Sequence, residues 1–133
     1  MACVKRMTVS KHFILPASVG ALWALAADWG GLMKWVPKGE PGANVIDCKL
    51  IGDDESLPLT RVLVLDSGIE IMETLVLRDD RLRRLRYHVH DGYFPNLINY
   101  YGTYTVVMVT RAQLEAMFEH VIHAGLAAYL AGR

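Results

Sequence analysis

The chain has 133 residues, 53% of them hydrophobic and 21% charged, and its fourteen basic side chains are balanced by fourteen acidic ones. That is enough for one domain with one core, and too apolar for a disordered chain. Zero net charge removes the global field that draws a protein onto nucleic acid or an anionic membrane, and no apolar run reaches the roughly 18 residues that span a bilayer.

The opening MACVKRMTVSK has no leader-like apolar run, and Cys3 and Cys48 form no CxxC pair. The expectation is a cytoplasmic protein with two reduced thiols, a disulfide between them being the alternative. Residues 7–15 (MTVSKHFIL) read as a first strand, ended by Pro16. Ser18 is a good N-cap for a helix over Val19–Trp29, whose Val19, Leu22, Trp23 and Ala26 recur at helical spacing. Gly30-Gly31 breaks it, and a second short helix, Leu32–Val36, is closed by Pro37.

Strand signals then follow at short spacing: Asn44–Ile51, Leu59–Leu65, Ile69–Leu77, Leu82–His90 and Ile98–Val109. Turns or loops separate them at Gly52-Asp53-Asp54, Asp66-Ser67-Gly68, Arg78–Arg81 and Asp91–Asn96. This is the pattern of an antiparallel meander. Ala112–Leu130 is different: Leu114, Met117, Phe118, Val121, Ile122, Gly125, Leu126 and Tyr129 repeat at i, i+3, i+4 and i+7. It predicts an amphipathic helix of about 20 residues, roughly 30 Å long, able to cross the sheet. The whole is expected to be one α+β domain, residues 1–133, with its helices on one face of the sheet.

Strand parity sorts the side chains. Leu85, Tyr87 and Val89 form the covered face of their strand, against Arg84, Arg86, His88 and His90 on the other. Arg61, Leu63 and Leu65 go inward from theirs, as do Ile69, Ile71, Glu73, Leu75 and Leu77, and finally Tyr100, Gly102, Tyr104, Val106 and Met108. A solid core would not normally bury an arginine, a carboxylate and several tyrosines, whereas a wet or ligand-filled cavity would. Gly102, and Gly125 on the helix, would make room. The alternative is that Arg61 and Glu73 pair with each other and the tyrosine hydroxyls point to the sheet edge.

The segments ALWALAADWGGLMKWVP, LTRVLVLDSG, IMETLVLRDDRLRRLRY, FPNLINYYGTYTVV and HVIHAGLAAYLAG carry a family likeness over nearly the whole chain. So do the order and spacing of Arg61, Gly68, Glu73, Leu75, Asp80, Tyr87, Pro95, Asn99 and Tyr100. The chain resembles the START/Bet v 1-like (SRPBCC) superfamily, in particular its polyketide cyclase/dehydrase-like branch, which shares its fold with plant abscisic acid receptors. The resemblance implies a helix-grip fold, a curved antiparallel sheet wrapped around a long C-terminal helix, with two short helices after the first strand. It also implies a ligand cavity at Arg61, Leu63, Leu65, Glu73, Tyr87, Val89, Tyr100, Gly102, Met117, Val121 and Gly125. Ile71 and Tyr104 join these by parity, and Trp35 either roofs the cavity mouth or staples its helix end. The chain departs from the family in two ways. Asp47 lies near the position where the receptors use a lysine for a carboxylate ligand. One strand is also missing between Val109 and Ala112: either a segment is absent from the chain, or the sheet has an open edge that would accept a second copy in a homodimer.

Two functions follow. The first is a carrier, as in lipid transport, or a sensor binding a hydrophobic small molecule. The alternative is a cofactor-independent polyketide cyclase or dehydratase-like enzyme, with Glu73 as general base, Tyr87 or Tyr100 as hydrogen-bond donor to an enolate, and Arg61 stabilising negative charge. No metal site is expected, since His88 and His90 lack a third ligand by spacing. The basic run from Arg78 to Arg86, with Asp79 and Asp80 inside it, reads as a charged hairpin with partly self-paired charges rather than a phosphate or nucleic-acid site.

Overall fold

In the computed structural model, which describes residues 6–12, 14–52, 56–93 and 97–108, the Ser18 hydroxyl accepts from the Ala21 N–H at 3.1 Å. That cap starts helix α1, Val19–Ala27. The helix stops two residues before the sequence suggests, because Asp28 leaves helical geometry at φ −75°, ψ 85°. A 3-10 helix, Trp29–Lys34, follows and contains the two glycines that were expected to separate two helices. Gly30 lets this helix close on the sheet, since a Cβ there would lie 2.8 Å from Leu50 Cδ1.

Five strands form one antiparallel sheet in chain order: β1 (Val45–Ile51), β2 (Leu59–Leu65), β3 (Glu70–Asp79), β4 (Arg84–Val89) and β5 (Tyr100–Thr105). The β2–β3 connection is a tight hairpin in which Gly68, at φ +87°, supplies the left-handed residue. Asp79 shapes the next turn, its Oδ1 accepting from the N–H groups of Arg81 and Leu82 at 3.0 Å each. Asp66 ties the β2 end to the chain before β1, accepting from the Gly42 and Asn44 N–H groups and from Asn44 Nδ2.

The core forms where α1 and the 3-10 helix meet one sheet face. Trp23, Trp29, Leu59, Leu75, Leu85, Tyr87 and Val89 are buried together, with Ala26, Ala27, Leu50, Ile71 and Val106 packed against them. Trp23 Nε1 donates to Asp80 Oδ1 at 3.0 Å, fixing α1 to the end of β3. Alternation is clean in β4 and in β2 up to Val64, where every second side chain is buried; Leu65 is half-buried.

The helix-grip expectation is corrected by this architecture. The described residues are mostly sheet with two short helices, and no long helix is among them. The predicted helix Ala112–Leu130 lies outside the described residues. The predicted first strand is overturned where it is described: residues 7–12 and 14–15 pair with no strand, and Met7 and Val9 are exposed. The last strand ends at Thr105 rather than Val109, and Met108, placed inward by parity, is 81% exposed. Leu77 also changes side. A bulge between Leu75 and Leu77 opposes Leu77 to Arg86 and Arg78 to Leu85, which turns Leu77 to the outer face.

Candidate functional site

The register assembles the predicted polar residues on the helix-bearing face. Arg61 on β2 is opposite Leu50 on β1 and Glu73 on β3, Glu73 is opposite Val89 on β4, and Val89 is opposite Tyr100 on β5. One row across the sheet therefore contains Arg61, Glu73 and Tyr100. The neighbouring row places Leu75, Tyr87 and Gly102 in line, and Leu63 is opposite Ile71.

Arg61 and Glu73 are both buried and pair directly. Arg61 Nε and Nη2 donate to Glu73 Oε1 at 2.9 and 2.7 Å, and Nη1 donates to the Trp29 carbonyl at 3.1 Å. The guanidinium lies over the Trp29 ring, 3.5 Å from its centroid. Trp29 Nε1 donates in turn to the Glu73 carbonyl at 3.4 Å. Two charges are thus buried because each has a partner and the arginine also has an aromatic lid.

Tyr87 continues the cluster. Its ring is tilted against Trp29 at 5.4 Å and against Tyr104 at 5.5 Å, and its hydroxyl donates to the Tyr104 hydroxyl at 3.5 Å. Burial, then this hydrogen bond, pushes its pKa far above the ordinary tyrosine value. Gly102 does not open a void: a Cβ there would collide with the Tyr87 ring, which lies over the glycine. The room expected at Gly102 is occupied by that ring.

The other predicted residues divide by exposure. Leu63 and Val89 are buried, Ile71 and Leu65 half-buried, while Tyr100 is 41% and Tyr104 40% exposed. Among the described residues the face is therefore filled under the helices and less covered toward β5. Trp35 is exposed at the end of the 3-10 helix, its backbone N–H donating to the Leu32 carbonyl at 3.1 Å. Met117, Val121 and Gly125 lie outside the described residues.

Three features escaped the sequence reading. The helical spacing places Trp29 only in a helix, yet it is the lid of the ion pair; the signal is the neighbouring Gly30, which lets this segment approach the sheet at Leu50. Cys48 faces the covered side opposite Leu63, where burial pushes its thiol pKa up and makes it a poor nucleophile. His88 and His90 stack on the outer face at 5.6 Å, and His88 also stacks on Tyr101 at 4.8 Å. Among the described residues no group of three or more His, Cys, Asp or Glu side chains could hold a metal ion, and no helix is long and apolar enough to cross a membrane.

No family model matches the chain, and no curated protein does. Among solved structures it is similar to the crystal structure of an uncharacterized protein from Bacillus thuringiensis, at 19% identity over 84% of this chain and 87% of that one, with a TM-score of 0.45.

Proposed function

We propose that the protein binds a hydrophobic small molecule on the β5 side of the helix-bearing face, as a carrier or sensor. The observation that carries this reading is the exposure of Tyr100 and Tyr104 on the same face as the buried Leu85, Tyr87 and Val89. Aromatic faces of this kind offer apolar area together with hydroxyl groups that fix a ligand's polar atoms. Apolar burial supplies the affinity, at about 25 cal/mol per Å². Arg61 and Glu73 form the rigid wall beside this surface. A carboxylate whose Oε1 already accepts two guanidinium donors suits that role better than proton abstraction, so the carrier reading is preferred to a cyclase or dehydratase.

The test is a fluorescence titration with a neutral apolar dye such as N-phenyl-1-naphthylamine. The wild type should bind it saturably, and Tyr104→Ala should weaken binding by about tenfold, the loss of roughly 1.4 kcal/mol of aromatic contact. Equal affinity in wild type and Tyr104→Ala would refute the reading.

A further inference from the structure

The opposite face of the same sheet holds an unrelated arrangement. We propose that Arg84, Arg86, Thr103 and Thr105 bind the phosphate group of a small molecule on the outer face of β4 and β5. Arg84 and Arg86 are alternate residues of β4 and so project to one side. The β4–β5 register puts Thr105 opposite Arg84 and Thr103 opposite Arg86. The β3 bulge brings Leu77 opposite Arg86 on this same face. These five side chains line an open groove of about 420 Å³.

The arginines are prepared for an anion. Arg84 Nε donates to Thr105 Oγ1 at 3.2 Å, which orients the guanidinium, and among the described residues its two terminal nitrogens make no hydrogen bond. Arg86 lies over the Tyr101 ring, 4.6 Å from its centroid, which fixes the guanidinium plane. Among the described residues neither arginine has an ion pair. Asp79 is the acid that faces Arg84 across the β3–β4 register, but its Oδ1 accepts the Arg81 and Leu82 N–H groups and it makes no ion pair with Arg84. Two like charges two residues apart on one strand face repel, and an oxyanion between them turns that repulsion into attraction. Guanidinium forks match phosphate oxygens in a bidentate manner, the threonine hydroxyls can donate to the remaining oxygens, and Leu77 offers an apolar contact to whatever the phosphate is attached to.

Inorganic phosphate and a phosphate ester share this chemistry, so both are titrated into the full chain by NMR at constant ionic strength, with adenosine 5′-monophosphate as the ester. The expected result is saturable binding of inorganic phosphate, with amide shifts at Arg84, Arg86, Thr103 and Thr105. Arg86→Gln and Arg84→Gln should each weaken it about tenfold or more while leaving thermal unfolding in chloride unchanged. Tighter binding of the nucleotide than of phosphate assigns the site to an ester, and equal binding assigns it to the free ion. The proposal is overturned if phosphate produces no saturable shifts, or if the Arg84→Gln/Arg86→Gln double variant binds as the wild type does.

Discussion

Arg61 is held by Trp29 through two separate contacts, the guanidinium stacked 3.5 Å from the ring centroid and Nη1 donating to the backbone carbonyl of the same residue at 3.1 Å. The 3-10 helix is thereby fastened to the middle of the sheet through a charged side chain that is itself neutralised by Glu73. Removing Arg61 or Glu73 leaves the charge of the other buried without its partner.

Glu73→Gln should therefore destabilise the fold by about 3–5 kcal/mol, because it leaves the Arg61 charge buried and uncompensated. Replacing both at once, as Arg61→Met/Glu73→Leu, should recover much of that loss, since well-packed apolar residues avoid the desolvation cost. Urea denaturation of Arg61→Met, Glu73→Leu and the double variant measures the coupling, and additive losses would show that the pair contributes no mutual stabilisation.

Gly102→Ala should destabilise by about 1–3 kcal/mol, the usual cost of overpacking a filled site. The new Cβ meets the Tyr87 ring, which is pinned between Trp29 and Tyr104. Tyr87→Ala should remove most of the additional penalty of Gly102→Ala, which a double-mutant cycle in thermal unfolding would display.

Stability should fall on both sides of neutrality for different reasons. The Tyr87 pKa is raised in the folded protein, so its contribution is complete below the ordinary tyrosine value near 10 and is lost as pH rises above it, where only the unfolded chain ionises readily. Tyr87→Phe should flatten the alkaline limb. The Asp66 pKa is lowered, first by the Asn44 side-chain hydrogen bond, so its contribution is present above the usual carboxylate pKa and disappears as pH falls through the depressed one. Asp66→Asn should shorten the acid limb. Denaturation midpoints across pH 2–11 would check both slopes.

Trp23→Phe should cost about 1 kcal/mol by deleting the bond to Asp80, with α1 as the element most affected. Asp80→Ala should cost a similar amount and the two changes together little more, which hydrogen exchange of the α1 amides would register.

Alternation and turn chemistry made much of this legible beforehand. Burial alternates through β4 and through β2 as far as Val64, so spacing alone places Arg61, Leu63, Leu85, Tyr87 and Val89 on the correct face. Ser18 and Gly68 announced a helix start and a tight turn through their own local chemistry. Parity puts Leu77 on the wrong face because a bulge at Val76 adds one residue to the count, and nothing local in the run TLVLRD marks it. Residues 7–15 have strand-like composition, but a strand exists only where another pairs with it, and in the described residues none does. An Arg61–Glu73 pair is one of the two readings that the spacing allows; what separates them is the cross-strand register, a long-range fact that spacing within either strand does not contain.

Amide chemical-shift mapping with the neutral apolar dye is the most direct test of ligand binding at the β5 tyrosine surface. Shifts should cluster at Tyr100, Gly102, Tyr104 and Val106, with Thr74 and His88 on the other face unmoved. Shifts confined to the outer face, or none at saturating dye, would contradict it.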